Sequence, residues 1–181
     1  PGALPTAVPA GVTVSADGNG SLSSADVDAL AALGLDHLEQ PFAGDDVAGH
    51  ADVRRRHPHL RIALDESIAS VGDVRTAAAL GACDVVVLKP GRVGGPRAAR
   101  AVHDAAVAAG LSVKVGGMWD TGIGRAAALA VASLPGCDVP PDLSAADRYF
   151  ARDIVATPAT LDDDGCLAVP TGAGLGVDVT L

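Results

Sequence analysis

Aromatic side chains are nearly missing from this sequence: one Trp, one Tyr and two Phe make up 2% of 181 residues. That scarcity excludes a stacking platform for nucleic-acid bases. Basic residues are also few, 13 Lys and Arg against 22 Asp and Glu for a formal net charge of -9, and they form no stripe. A surface that tracks a phosphate backbone is therefore not expected, and nucleic acid is set aside as a partner. The one basic run, Arg54 to Arg56, reads as a solvated helix face. Lysine occurs only at positions 89 and 114. The three cysteines, Cys83, Cys137 and Cys166, are odd in number, far apart and without CxxC spacing, so they read as reduced, buried and cytosolic rather than as a zinc or redox site. The longest uncharged apolar run, Ala126 to Cys137, contains Pro135 and is too short to span a bilayer. With no visible signal peptide, the expectation is a soluble cytoplasmic protein with no membrane partner.

What is present is aliphatic: 49% of residues are hydrophobic, enough for the core of one compact domain or a piece of one. The organising stretch is LRIALDES, Leu60 to Ser67, a short apolar strand ending in Asp65 and Glu66. Three other stretches follow the same plan. GVTVSAD ends on Asp17, LDHLE ends on Glu39 before a Pro, and CDVVVLK ends on Lys89 before a Pro. Helical segments are expected between them: one capped by Ser23-Ser24 and stopped by Gly34, then 47–56, 71–80 ended by Gly81, and 97–109 ended by Gly110. Residues 111–115 read as a fifth strand, 124–134 as a fifth helix and 137–139 as a short sixth strand. Residues 1–10 read as irregular, 11–152 as the repeating body and 153–181 as a mostly non-helical tail lying over the rest.

Alternating strands and helices call for a parallel sheet with right-handed crossovers. Period-2 parity favours a closed barrel over an open doubly wound sheet. If Asp17, Glu39, Asp65 and Lys89 point inward, so do Thr13, Ser15, His37, Ala63, Val85 and Val87, while Val12, Val14, Leu38, Ile62, Leu64, Val86 and Leu88 face helices. The fold class is therefore α/β, a partial (β/α)8 barrel. Only five or six strand-helix units fit in this sequence, whereas a full barrel has eight. The chain is expected either to be a segment of a longer protein or to close its sheet against another chain as a homo-oligomer; alone, it should aggregate, dimerise or remain partly molten.

Three carboxylates at successive strand tips would repel unless they shared a cation. An all-oxygen set without His or Cys points to Mg2+, with Mn2+ as an alternative, over zinc. Lys89, inward-facing after a run of apolar residues, suits a general base or acid, or a cation that stabilises an enolate.

The ordered series ADGNG, LEQP, LDES, LKPGRVGG, GGMWDTGIGR, PPDLSAADRYF and PTGAGLGVDV resembles the C-terminal barrel portion of the enolase superfamily, within it the o-succinylbenzoate synthase and N-acylamino acid racemase family. The resemblance runs from about Val12 to the end. It implies Asp17, Glu39 and Asp65 as Mg2+ ligands, Asn19 and Glu66 as their supports, and Lys89 as the catalytic lysine of the sixth barrel strand. Gly116, Gly117 and Met118 match the segment that lies along the substrate; Arg92, Thr121 and Arg125 fall in matching turns. The implied chemistry is α-proton abstraction from a small carboxylate through a metal-stabilised enediolate, as in a dehydratase of menaquinone biosynthesis or in racemisation of an N-acylamino acid. Several features depart from the family pattern. The Lys-x-Lys motif of the second strand, the first barrel units and the N-terminal capping domain have no counterpart here, and the chain as given is expected to be catalytically incomplete by itself. Gly18 replaces a more usual Ala, a mild change, and Trp119-Asp120 stand where an aliphatic residue and Glu are more common.

A competing motif, Gly122 to Ala127, fits the GxGxxA of a dinucleotide fingerprint, but it begins too far beyond the strand ending at Val115. GRVGG lacks the GK[ST] ending of a P-loop.

Overall fold

The computed structural model describes residues 9–180. The chain divides into two compact units, Pro1–Val86 and Val87–Leu181. Five strands, β1 (Ala16–Asp17), β2 (His37–Glu39), β3 (Arg61–Leu64), β4 (Val85–Leu88) and β5 (Ser112–Val115), follow one another in the sheet in sequence order. A doubly wound sheet reverses its strand order at a switch point. Strict sequential order with helices in the crossovers is the topology of a (β/α)8 barrel segment, as parity predicts.

In the first unit β1 to β4 pair in parallel, with Asp17 opposite Glu39, Glu39 opposite Ala63 and Ala63 opposite Val85. Its helices are α1 (Ser24–Ala31), α2 (Val47–Arg56) and α3 (Val71–Leu80). Each begins at a residue that satisfies otherwise unpaired first-turn amides. Ser23 and Asp26 form a reciprocal capping box, the Ser23 Oγ accepting from Asp26 N–H at 3.3 Å and the Asp26 carboxylate from Ser23 N–H at 2.9 Å. Asp46 and Ser70 cap the other two. Gly81, with φ at 63°, ends α3 in the left-handed conformation that glycine adopts without steric cost. Leu38, Ile62 and Leu64 of the strands and Val27, Val53 and Val74 of the helices are fully buried.

In the second unit, Gly116 N–H, just past β5, donates to Leu88 O at the end of β4. Helices α4 (Pro90–Val93), α5 (Pro96–Ala108) and α6 (Gly122–Ala132) follow, with a 3-10 turn at Ala146–Arg148. From residue 153 onward only isolated bridges form, Val155 with Val179 and Leu161 with Leu167. This segment packs on α6: the Asp153 carboxylate accepts the Gly122 N–H at 2.9 Å, and Val155 is buried.

Several expectations are corrected. The first strand is two residues, not 11–17; it ends the sheet order with one neighbour, and Val12 is exposed, as are Thr13 and Ser15. Residues 137–139 form no strand. Val139 and Asp142 donate to Val113 and Val115, but Pro140 and Pro141 have no N–H with which to continue a ladder. The expected glycine-rich turn after Lys89 contains α4, started by Pro90 and stopped by Gly94 at φ 100°. Arg54 is no solvated residue: its guanidinium pairs with Asp84 and donates to Gly81 O at 2.7 Å, while Asp84 also accepts the Ile62 N–H. Of the cysteines, all free, Cys83 is buried with its thiol pushed up to about 12 by burial, Cys137 is half-buried and Cys166 is exposed. Among the described residues no helix is long and apolar enough to cross a membrane.

Candidate active site

In the first unit the strand register lines up the acidic residues. Asp17 and Glu39 are direct partners on adjacent strands about 4.8 Å apart. Asp65 lies two residues beyond Ala63, the partner of Glu39, so period 2 returns its side chain to the same face. Glu39 and Asp65 are buried and Asp17 is exposed. The inward His37, also buried, holds its Nδ1 2.8 Å from Asp36 Oδ2; its Nε2 faces Glu39 Oε2 at 4.0 Å and makes no hydrogen bond among the described residues.

The tips are tied together by their turns. Asp17 Oδ1 accepts the Asn19 N–H at 2.8 Å, with Asn19 at a positive φ of 44°. Gly18 and Gly20 donate to the carbonyls of Glu39 and Gln40 at 2.9 and 2.8 Å. A Cβ on Gly18 would meet Gln40 O at 2.9 Å, so glycine there permits a closer approach than alanine. Glu66 is exposed, its backbone alongside Gly44.

Gln40 is the residue that strand periodicity does not reveal. It is completely buried, with φ at 35°. Its Oε1 accepts from Asp65 N–H at 2.8 Å and Ser67 N–H at 3.3 Å, and its Nε2 donates to Ser67 Oγ at 2.8 Å and Phe42 O at 2.9 Å. One amide thus bridges the ends of β2 and β3, one residue from Glu39 and directly on the backbone of Asp65. His50 supports this from α2, its Nε2 accepting the Phe42 N–H at 3.2 Å. Burial pushes the His50 pKa below the ordinary histidine value. The only advance signal of Gln40 was its place in LEQP.

As a donor set, three carboxylates on one face suit a hard dication. Among the described residues, however, no group of three or more His, Cys, Asp or Glu side chains stands close enough to hold a metal ion. The register carries the carboxylates on neighbouring strands, and the side chains do not converge as placed.

In the second unit Lys89 caps α4 and is half-buried. Its stem lies over Gly116: a Cβ there would stand 2.6 Å from Lys89 Cε and 2.9 Å from Val87 Cγ1. Lys89 and Val87 therefore share a face, as parity predicts, and a side chain at 116 would make the lysine shift. Gly117 is equally constrained, since its Cβ would meet Asp142 O at 2.3 Å. Lys89 lines a cavity of about 550 Å3 with Gly117, Met118, Asp120 and Asp142, and a smaller one with Gly116 and Met118. The sequence-predicted substrate-side residues thus gather around the lysine. Arg92 lies in α4; Arg125, on α6, is buried, with one nitrogen donating to Asp120 O at 3.3 Å and its Nε without a hydrogen bond among the described residues. The GxGxxA motif opens α6, but its first amide is already taken by the Asp153 carboxylate, which leaves no phosphate site there.

Comparison with known proteins agrees with the resemblance read from the motifs. N-succinylamino acid racemase from an Amycolatopsis species is 47% identical over 169 residues, 92% of this chain and 45% of the relative. o-Succinylbenzoate synthase from Bacillus subtilis is 42% identical over 171 residues, 93% of this chain and 46% of the relative. A crystal structure of an enolase-superfamily member from Enterococcus faecalis superposes with a TM-score of 0.86 at 39% identity, covering 94% of this chain and 46% of that one. Muconate lactonizing enzyme from Klebsiella pneumoniae gives 0.82 at 30% identity, covering 92% and 48%. The chain spans about half the length of the curated relatives it matches. Residues 2–180 match the family described as enolase C-terminal domain-like, and the chain belongs to that family.

Proposed function

We propose that this chain is the lysine- and carboxylate-bearing part of an o-succinylbenzoate synthase-like enzyme, a Mg2+-dependent dehydratase of menaquinone biosynthesis acting on a small carboxylate. The observation that carries the proposal is the register: Asp17 opposite Glu39, with Asp65 two residues past Glu39's partner, just beyond the end of β3. Asp17, Glu39 and Asp65 would hold the dication, with Asn19 and Glu66 supporting them. Bound there, Mg2+ would polarise the substrate carboxylate and offset the charge that develops as the α-proton leaves. Lys89, as an ammonium, stabilises that charge through its three N–H donors. Gly116 lets the lysine stem come close, and Gly117 the Asp142 carbonyl, without a Cβ between them. Met118 supplies an apolar contact beside Lys89 in both cavities.

N-Acylamino acid racemisation is the second reading, favoured by the 47% identity to a relative named for that activity against 42% for the synthase. In it Lys89, as an amine, takes the α-proton of one enantiomer while the second lysine that the resemblance implies delivers a proton to the opposite face, and in the reverse direction Lys89 delivers the proton as an ammonium. The two are separated by giving the full-length protein the cyclohexadiene carboxylate and, separately, an N-succinylamino acid. Dehydration at the higher kcat/KM supports the synthase, racemisation at the higher value supports the racemase, and turnover of neither rejects both.

A further inference from the structure

The chain has one tryptophan and one tyrosine, and the fold places them side by side. The rings of Trp119 and Tyr149 lie with centroids 6.4 Å apart on the wall of the cavity that holds Lys89. The Arg148 guanidinium sits 5.8 Å from the Tyr149 ring centre, within cation-π range, and restrains that ring. Trp119 itself is 83% exposed. Indole is the largest apolar surface a side chain can offer, and here it is left uncovered at the mouth of a concave site. Trp119 lies three residues beyond Gly116, the position whose missing side chain admits Lys89, so a short backbone segment links lysine and indole.

The rest of the lining indicates what the indole meets. Lys89, Arg148, Asp120 and Asp142 make a mixed-charge surround, and the Trp119-Tyr149 pair is its flat apolar wall. A wholly polar ligand would leave that wall wet, and a wholly apolar one would strip water from four charged groups. We infer that Trp119 is a specificity-determining residue: its ring takes a planar aromatic group carried by the carboxylate substrate whose acidic carbon is presented to Lys89. This rests on the Lys89 cavity being the substrate site proposed above.

The test measures binding of N-acetyl-L-phenylalanine and N-acetyl-L-alanine to the full-length protein by calorimetry, alongside turnover of both. A stacked aromatic pair is worth about fivefold in affinity. The native protein is expected to bind the phenylalanine derivative about fivefold more tightly than the alanine derivative, and Trp119→Leu to bring the two within about twofold by weakening only the former; Trp119→Phe keeps most of the preference. An unchanged ratio in Trp119→Leu overturns the inference. So does an equal loss for both ligands, which would mean that Trp119 packs against protein, or no binding of either. Absence of turnover with the expected binding ratios would count against the racemase reading and uphold the role of Trp119.

Discussion

The two units solve the same problem, holding a charged group at a strand tip, by opposite means. Around Asp17, Glu39 and Asp65 the chain adds contacts: a buried glutamine amide, a buried histidine and backbone amides lace the tips of β1, β2 and β3 together. Around Lys89 the chain removes atoms: Gly116 and Gly117 have no Cβ where one would collide, and a cavity opens beside them. Carboxylates proposed to share one ion need restraint against their own repulsion. A lysine proposed to meet a substrate needs room.

The contrast is broken most severely by Lys89→Ala in the full-length protein. Loss of a positioned proton-transfer group costs about 10²- to 10⁴-fold in rate, so racemisation should vanish while Mg2+ binding by calorimetry is unchanged. Full racemase activity in that variant would remove Lys89 from its assigned role.

Gln40→Leu is the mirror experiment. It strands the Asp65 and Ser67 amides that Gln40 now accepts. Mg2+ affinity is expected to fall about 10- to 100-fold, the range for lost support of a metal ligand. Stability should fall by about 1–3 kcal/mol from the unsatisfied buried groups, read from denaturant unfolding.

Gly116→Ala tests the second unit by restoring one carbon. It is expected to cost about 1–3 kcal/mol through overpacking against Lys89 and Val87, and to lower kcat without weakening Mg2+ binding. An unchanged kcat would show that the lysine needs no such space.

The smallest effect is expected from His50. Its folded-state pKa lies below the unfolded value of about 6.5, so the unfolded chain takes up its proton first. The contribution of neutral His50 is therefore fully present above that pH and is lost as pH falls toward the folded value. Unfolding midpoints measured from about pH 7.5 down to about 5 should decline less steeply in His50→Gln than in the native protein.

Much of this was legible from residues alone because the helices carry their own punctuation. Residues 47–56 and 71–80 form the expected helices, the second ended by Gly81 as expected, with Asp46 and Ser70 found as their N-caps. Inward parity also held in the central strands, where both faces are covered and a slip of one residue would exchange them. It failed before Ala16, where β1 has one neighbour and alternation is not enforced. What the residues alone did not show is the physical reason these positions count. Gln40, Gly116 and Trp119 have partners far away in sequence, which local periodicity does not register. The likeness of LEQP and GGMWD to family motifs marked the places without giving the physics. The gathering of Asp17, Glu39 and Asp65 around one ion remains a proposal drawn from register and donor chemistry.

The most direct measurement of the central claim is exchange of the α-proton of an N-succinylamino acid in D2O, followed by proton NMR with the full-length protein. The α-proton signal of the enantiomer whose proton Lys89 removes should disappear in the presence of Mg2+, persist when the metal is chelated, and persist with Lys89→Ala or with Asp65→Asn. Exchange that continues at the native rate after chelation, or in either variant, would contradict the roles proposed for Asp65 and for Lys89.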